Sequence, residues 1–430
     1  MKAAIKTSIL VVALLAAGTA QAQEYNSLNT YSLYSIYGLG DLASQGFTST
    51  SSMSGITTGV RESRQIDYMN PAGATARDSL AFVLDFGGEM RNFYSRTATT
   101  STSYNTANFH HLAFAFGIGR FGFNAGVVPF SRVGYEIERR ETDPTIIANM
   151  GDVRYLYRGE NGLSQLFFNL GFNITNRIAV GLGGRYFFGN ISQYYNVVGS
   201  TSSYYLNTYS SHVQRISSWA PVLGAHYTHP MDKGRKLVLG ASWQPTVKLG
   251  GTKTEQSLVT SDANSAYVTQ DTIYSSSGRA TVNLPMQLSL GASYTVSERW
   301  MLGAEFALRD WSKTEVLNTA AGEMGLSYDL KIGGYYIPNL YDVRYFWKRF
   351  TYRGGLRYSQ TPYLHKGSSV KDMAATFGVG VPAGRAGALN LGLEVGRRGS
   401  INNGLIQETY VNVSVSITIL EAWFMRFRYE

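Results

Sequence analysis

The chain has 430 residues, of which 44% are hydrophobic and only 16% charged, with 30 Tyr, 46 Gly and no Cys. The lack of cysteine excludes disulfides, thiol chemistry, Cys-based zinc sites and a lipid-anchored lipoprotein. The net charge of +9 is spread out, with no basic run longer than a pair such as Arg139-Arg140 or Arg397-Arg398, which points to solvation or contact with anionic lipid and lipopolysaccharide rather than to nucleic acid.

Residues 1–22, MKAAIKTSILVVALLAAGTAQA, carry Lys2 and Lys6, an apolar run over 9–17 and small residues up to Ala22. This reads as a secretory signal peptide cleaved before Gln23, its apolar run being too short to span a bilayer as a helix. Taking Lys2 and Lys6 from 38 basic residues leaves 36 against 29 acidic ones, a net charge of +7 for the mature chain. Residues 23–79 alternate poorly, are rich in Ser, Thr, Gly and Tyr, and are long enough to fold inside a barrel lumen. Near their end stands DYMNPAGATARDS. Asn70, Pro71, Ala72 and Gly73 have ordinary turn chemistry, but Pro71 cannot donate to a sheet ladder, so a turn here would return an N-terminal plug to the barrel wall.

From residue 80 to residue 419 the signal is a period of two. Leu284, Met286, Leu288, Leu290, Ala292 and Tyr294 alternate with polar or small residues, as do Val411, Val413, Val415, Ile417 and Ile419. Such alternation puts the two sets on opposite faces of a strand, and about ten residues per segment suits a tilted strand crossing a bilayer. Fourteen segments are expected, starting near residues 80, 109, 121, 163, 178, 213, 236, 280, 300, 325, 350, 371, 387 and 407. Short turns and long polar loops, such as 95–108, 251–279 and 310–324, connect them in alternation. The expected fold is therefore all-β, a transmembrane antiparallel β-barrel of about 14 strands with the N-terminal plug in its lumen, the short turns and both termini being periplasmic. Trp219, Trp243, Trp300 and Trp311 are expected in the interfacial aromatic belts. The last strand is expected to stop near Ile419, leaving residues 420–430 as a periplasmic tail.

Motifs for chemistry are weak. Gly117, Gly119 and Gly122 match G-x-G-x-x-G, but another alternating segment follows where a nucleotide-binding helix is needed, so a hairpin turn is expected. His226 and His229 lack partner ligands and read as a solvated pair at a turn. Adjacent His110 and His111 would face opposite sides of a strand. No G-x-S-x-G elbow is present, so no enzyme activity, metal or cofactor is expected. Strand parity sends Arg185, Glu305, Arg309, Asp329, Lys331, Arg353, Arg357 and Glu394 into the lumen, to pair across strands, hold the plug or line a ligand path.

The tetrad Asn70-Pro71-Ala72-Gly73, followed by an even run of long strands, resembles the FadL-like outer-membrane transport family. NLPMQLSLGASY, SYDLKIGGYYIPN, TYRGGLRYS, ATFGVGVP, NLGLEVGRRGS, GLIQETYVNVSVSI and YSIYGLGDL look like a Bacteroidetes-type branch of it. The resemblance implies a fourteen-stranded barrel with an N-terminal hatch carrying the Asn-Pro-Ala motif, in the Gram-negative outer membrane. It implies passive uptake of hydrophobic molecules, such as long-chain fatty acids, with release sideways through a break in the wall. The alternative is a non-transporting barrel that scaffolds an outer-membrane secretion or assembly complex, with outer-membrane protein partners, since fold does not fix function. The loops 251–279 and 310–324 and the C-terminal tail motivate that alternative.

Overall fold

The computed structural model describes residues 28–77, 81–97, 99–199, 206–260, 269–317, 322–365, 367–384, 387–401 and 406–422. The expected signal peptide and residues 423–430 of the expected tail lie outside them. A two-residue strand, β1 (Asp41–Leu42), belongs to the N-terminal segment. Then follow β2 (Ala81–Arg96), β3 (Ser101–Ile118), β4 (Phe121–Arg132), β5 (Tyr135–Arg140), β6 (Arg154–Asn173), β7 (Ile178–Val198), β8 (Asn207–Met231) and β9 (Arg235–Gln244). After them come β10 (Val247–Thr260), β11 (Thr269–Leu284), β12 (Gln287–Val296), β13 (Trp300–Asp310), β14 (Leu326–Tyr336), β15 (Thr351–His365), β16 (Ser368–Pro382), β17 (Gly387–Arg398) and β18 (Gln407–Ala422).

These strands form a closed antiparallel barrel of fourteen staves. Three staves are broken: β4 and β5 at Val133-Gly134, β9 and β10 at Pro245-Thr246, and β11 and β12 at Pro285-Met286. Proline removes a ladder donor, so two of the breaks fall where the sequence cannot continue the pairing. Closure is by β18 on β2, in register from Gln407 opposite Arg96 to Ala422 opposite Ala81. The last strand thus continues to Ala422, past the expected stop at Ile419, because Leu420, Glu421 and Ala422 still find partners in Val83, Phe82 and Ala81.

The barrel is apolar outside and polar inside. Along β18, Glu408, Asn412, Ser414, Ser416 and Thr418 are buried, whereas Val413, Ile417 and Ile419 are exposed. Exposed Leu182, Leu223, Leu302, Ile332, Leu356 and Phe377 continue that outer face around the circumference. It is the band a lipid-facing barrel requires.

Two expected loops are strand instead. Residues 95–108 lie largely in the β2–β3 hairpin, and 251–279 largely in β10 and β11, whose register runs from Val247 opposite Leu284 to Thr260 opposite Thr269. Beyond the apolar band both faces of a hairpin meet water, so Ser, Thr and Asn replace the alternation that marks a spanning strand. Trp219, Trp243 and Trp300 are exposed on the outer wall, but Trp311 is fully buried and donates its indole N–H to Ser327 Oγ at 3.1 Å. It belongs to the apolar cluster of Tyr34, Leu39, Phe187, Leu249 and Met324, not to a belt.

The wall is not evenly paired. Strand β8 pairs with β10 over residues 207–216 and with β9 over 223–231. Among the described residues, 217–222 of β8 therefore have no ladder partner on that side. On β4, where Ser131 and Arg132 continue past the last β3 pair, β1 supplies a strand from the lumen, Asp41 opposite Arg132 and Leu42 opposite Ser131.

Candidate functional site

The lumen and the segment threaded through it form the candidate site. Residues 28–77 run from the long-hairpin end of the barrel to its short-turn end, and three sets of side chains hold them. At the long-hairpin end Glu408 accepts from Ser32 Oγ at 2.8 Å and from Leu33 N at 2.8 Å. Asp41 of β1 meets Arg91 at 3.0 Å and Arg398 at 2.7 Å, and Arg398 also reaches Asp372 at 3.4 Å. Arg357 pairs with Glu394 at 2.7 Å, and the Tyr410 hydroxyl donates to Asp372 at 2.8 Å.

At mid-height Glu305 accepts from Thr57 N at 2.8 Å and Thr58 N at 2.7 Å, and from Lys331 Nζ at 3.0 Å. Lys331 also donates to Gln45 Oε1 and to Gly55 O. Burying two charges is unfavourable unless their remaining donors and acceptors are filled, and here the plug backbone fills them. At the base Lys236 donates to Arg61 O at 3.1 Å and to Glu62 at 3.3 Å, and Arg61 donates to Asn173 at 2.8 Å.

The tetrad lies where the segment turns back toward the wall. Pro71–Ala76 form a 3-10 helix with Pro71 in its first turn and Asn70 as N-cap, the Asn70 Oδ1 accepting from Ala72 N at 3.1 Å. The Asn70 amide donates to Thr58 O at 2.9 Å and to Ala225 O at 3.2 Å, tying plug to wall. The wall opposite is glycine. A Cβ at Gly122 would strike Ala74, one at Gly181 would strike Pro71, and one at Gly224 would strike Asn70. Losing both Asn70 donors and the cap should cost about 1–3 kcal/mol locally. Asn70→Ala is therefore expected to admit protease at residues 66–77 while the barrel stays folded. Pro71→Ala, which keeps the Asn70 bonds, is expected to have a smaller effect in the same digestion.

All eight charged residues of the parity argument face the lumen, but only three touch the plug. Glu305 and Lys331 do so as described, and Arg185 donates to Met69 O at 3.3 Å and to Gln244 at 3.0 Å. Arg309 and Asp329 lie 3.6 Å apart, Arg353 donates to Asn390, and Arg357 pairs with Glu394, all within the wall. The clamp of Asp41, Arg91, Asp372, Arg398 and Glu408 at the long-hairpin end was not among the expected residues. Inward parity on β2, β16, β17 and β18 marks four of the five.

The histidines differ from expectation. A register shift between Gly87 and Gly88 on the neighbouring strand lets His110 and His111 both face inward, Nδ1 to Nδ1 at 2.7 Å, with His111 Nε2 3.0 Å from Asp85. His226 is not solvated. It is buried against the plug with Nε2 2.8 Å from Thr58 O, while His229 stays at the surface. Gly119 does turn a tight hairpin, with φ +58°. Among the described residues no group of three or more His, Asp or Glu is placed to hold a metal.

Two cavities beside the plug are small. A cavity of about 80 Å³ lies among Asp41, Arg309, Asp329, Lys331, Arg357 and Arg398. Another of about 40 Å³ lies among Met69, Arg185, Gln244, Pro285 and Trp311, beside the break in β9–β10.

A family model described as BamG matches residues 4–430. The chain belongs to the BamG family. No curated protein matches it. Several solved barrels share the fold of this BamG-family chain. The CymD monoaromatic hydrocarbon channel does so with TM-score 0.59 and 12% identity over 89% of this chain and 98% of its own. A Pseudomonas aeruginosa FadL homologue gives 0.57 and 13% over 90% and 100%. The Ralstonia pickettii toluene transporter TbuX gives 0.55 and 16% over 87% and 98%. The fold of this BamG-family chain is thus that of FadL-type transport channels.

The first described residues of this BamG-family chain lie at the long-hairpin end of the barrel. Leu33 N and Ser32 sit against Glu408, and Asn29 O accepts from Asn108, both at the long-hairpin end. Ala422 closes on Ala81 at the other end.

Proposed function

We propose that this protein is an outer-membrane barrel kept closed by its own N-terminal segment, acting as a scaffold subunit of an outer-membrane protein assembly or secretion complex. The observation that carries this reading is the lumen itself. Residues 28–77 fill it from mouth to base, and its inward charges are spent on each other and on the plug, leaving interior cavities of about 80 and 40 Å³. Neither would hold a fatty acid, since ligand pockets run to about 300–1,000 Å³. The short turns and Ala422 then face the periplasm, the long hairpins and residues 28–33 face outward, and the outer wall contacts lipid and lipopolysaccharide. Segments such as NLGLEVGRRGS support placement in a Bacteroidetes-type branch of the FadL-like proteins.

Native mass spectrometry after gentle detergent extraction is expected to give a mass above that of the monomer, and planar-bilayer recording no steady conductance. Recovery of the monomer alone, with steady conductance, would overturn the scaffold reading. A second reading, passive uptake of hydrophobic compounds, is favoured by residues 217–222 of β8, which among the described residues lack a ladder partner on the β9–β10 side and offer a sideways exit once the plug moves. It requires that deletion slow the uptake of fatty acids or aromatic compounds.

A further inference from the structure

Above the apolar band, β5, β6, β7 and β8 continue as one sheet, and a cavity of about 330 Å³ opens on it. It is lined by Tyr135, Tyr157, Gln193, Tyr194, Tyr195 and His212. The register sets these residues in rows: Gln193 lies between Gly159 and His212, Tyr195 beside Tyr157, and Tyr135 opposite Gly159. Gln193 and Tyr195 have the parity of lumen-facing Arg185, so they project to the mouth of the barrel.

The trough depends on Gly159. A Cβ there would strike the Tyr135 ring, so that ring lies flat across the strand and forms a floor. Tyr157 and Tyr195 make a wall, with centroids 4.9 Å apart and planes at 44°, and Tyr155 extends it, stacked on Tyr195 at 6.5 Å and 11°. Tyr194, of the opposite parity on β7, turns its hydroxyl away from that face to Glu160 at 3.1 Å, itself paired with Arg158 at 3.1 Å. One polar arm on the trough face is fixed from behind. His212 Nδ1 lies 3.2 Å from Glu255, itself paired with Lys253 at 2.7 Å.

We propose that this trough is a binding site for neutral saccharide. Aromatic faces offer an apolar surface with a polar tip, which suits the C–H face of a pyranose ring. The Tyr157 and Tyr195 hydroxyls, Gln193 amide and His212 imidazole keep hydrogen-bonding capacity beyond their protein partners, which the hydroxyls of a sugar can use and a hydrocarbon cannot. The charges nearby are paired, Glu160 with Arg158 and Glu255 with Lys253, which suits a neutral ligand. The volume lies at the lower end of the about 300–1,000 Å³ of small-molecule sites. The proposal is independent of whether the barrel scaffolds or transports. The sugar would come from the polysaccharide of surrounding lipopolysaccharide or from free oligosaccharide outside the cell.

The test is saturation-transfer NMR on the detergent-solubilised full chain. The probes are maltohexaose, polysaccharide released from lipopolysaccharide by mild acid, and decanoate. Saccharide C–H signals are expected from at least one sugar probe, the responding probe identifying the source. Tyr195→Ala and Tyr157→Ala are expected to weaken binding at least tenfold, Tyr195→Phe to weaken it less, and all three to keep the wild-type protease resistance of the plug. Absence of signal from both sugars, signal from decanoate alone, or unchanged binding in both alanine variants would each overturn the proposal.

Discussion

Glu305→Ala is expected to release the middle of the plug. The substitution removes the acceptor of Thr57 N and Thr58 N and the carboxylate 3.0 Å from Lys331. Both partners of that pair are almost fully buried. Breaking a buried ion pair by removing one member typically costs about 3–5 kcal/mol, because the other charge stays buried and unpaired. Lys331 keeps Gln45 Oε1 and Gly55 O, which places the effect at the lower end. Thermolysin digestion of the folded protein should then cut between residues 45 and 62, while the barrel keeps its compact mobility on an unheated gel. Glu305→Gln retains one acceptor oxygen and should be milder. Glu305→Ala combined with Lys331→Met should recover part of the loss, since the orphaned charge goes with it. Equal protease resistance in wild type and Glu305→Ala would mean that the plug is not held at this point.

How much of this was legible follows from where the environment imposes a pattern. The fourteen-stave barrel was readable because lipid on one side and a polar lumen on the other force period two, as at Val413, Ser414, Val415 and Ser416. Where both faces meet water the pattern vanishes, which is why 95–108 and 251–279 read as loops though they are mostly strand. Parity found Lys331 and Glu305 because each lies within a clean alternating run. Continuing the alternation of Asn412 and Ser414 back by two steps would have reached Tyr410 and Glu408. Asp41 had no such signal. It sits in a two-residue strand, and its partners are 50 and 357 positions away, so only the threading of the plug brings them together. His110 and His111 defeated parity because the pairing with Gly87 and Gly88 skips His110, a bulge that turns two neighbours to the same side.

Arg398→Met should open the plug from the other end. Arg398 is the shared cation of three carboxylates, at 2.7 Å from Asp41, 3.4 Å from Asp372 and 3.9 Å from Glu408. Methionine keeps much of the stem's apolar packing but removes the charge and the guanidinium hydrogen bonds to Asp41 and Asp372, so the three acids are left with Arg91 and Arg357, which lie 3.0 Å from Asp41 and 3.7 Å from Asp372. Glu408 loses its only ion-pair partner among the described residues and keeps only the hydrogen bonds from Ser32 and Leu33. The expected cost is again about 3–5 kcal/mol, but digestion should now begin before Gln45 rather than beyond it. Because the two clamps share no partner, their losses should add within about 0.5 kcal/mol if the plug is held as separate segments. The cavity of about 80 Å³ lies between them, lined by Asp41 and Arg398 on one side and Lys331 on the other. The combined variant, Glu305→Ala with Arg398→Met, should therefore join that space to the outside and show conductance steps absent from wild type and from either single change. Identical digestion fragments from the two single variants would instead show that the plug leaves the lumen as one cooperative body.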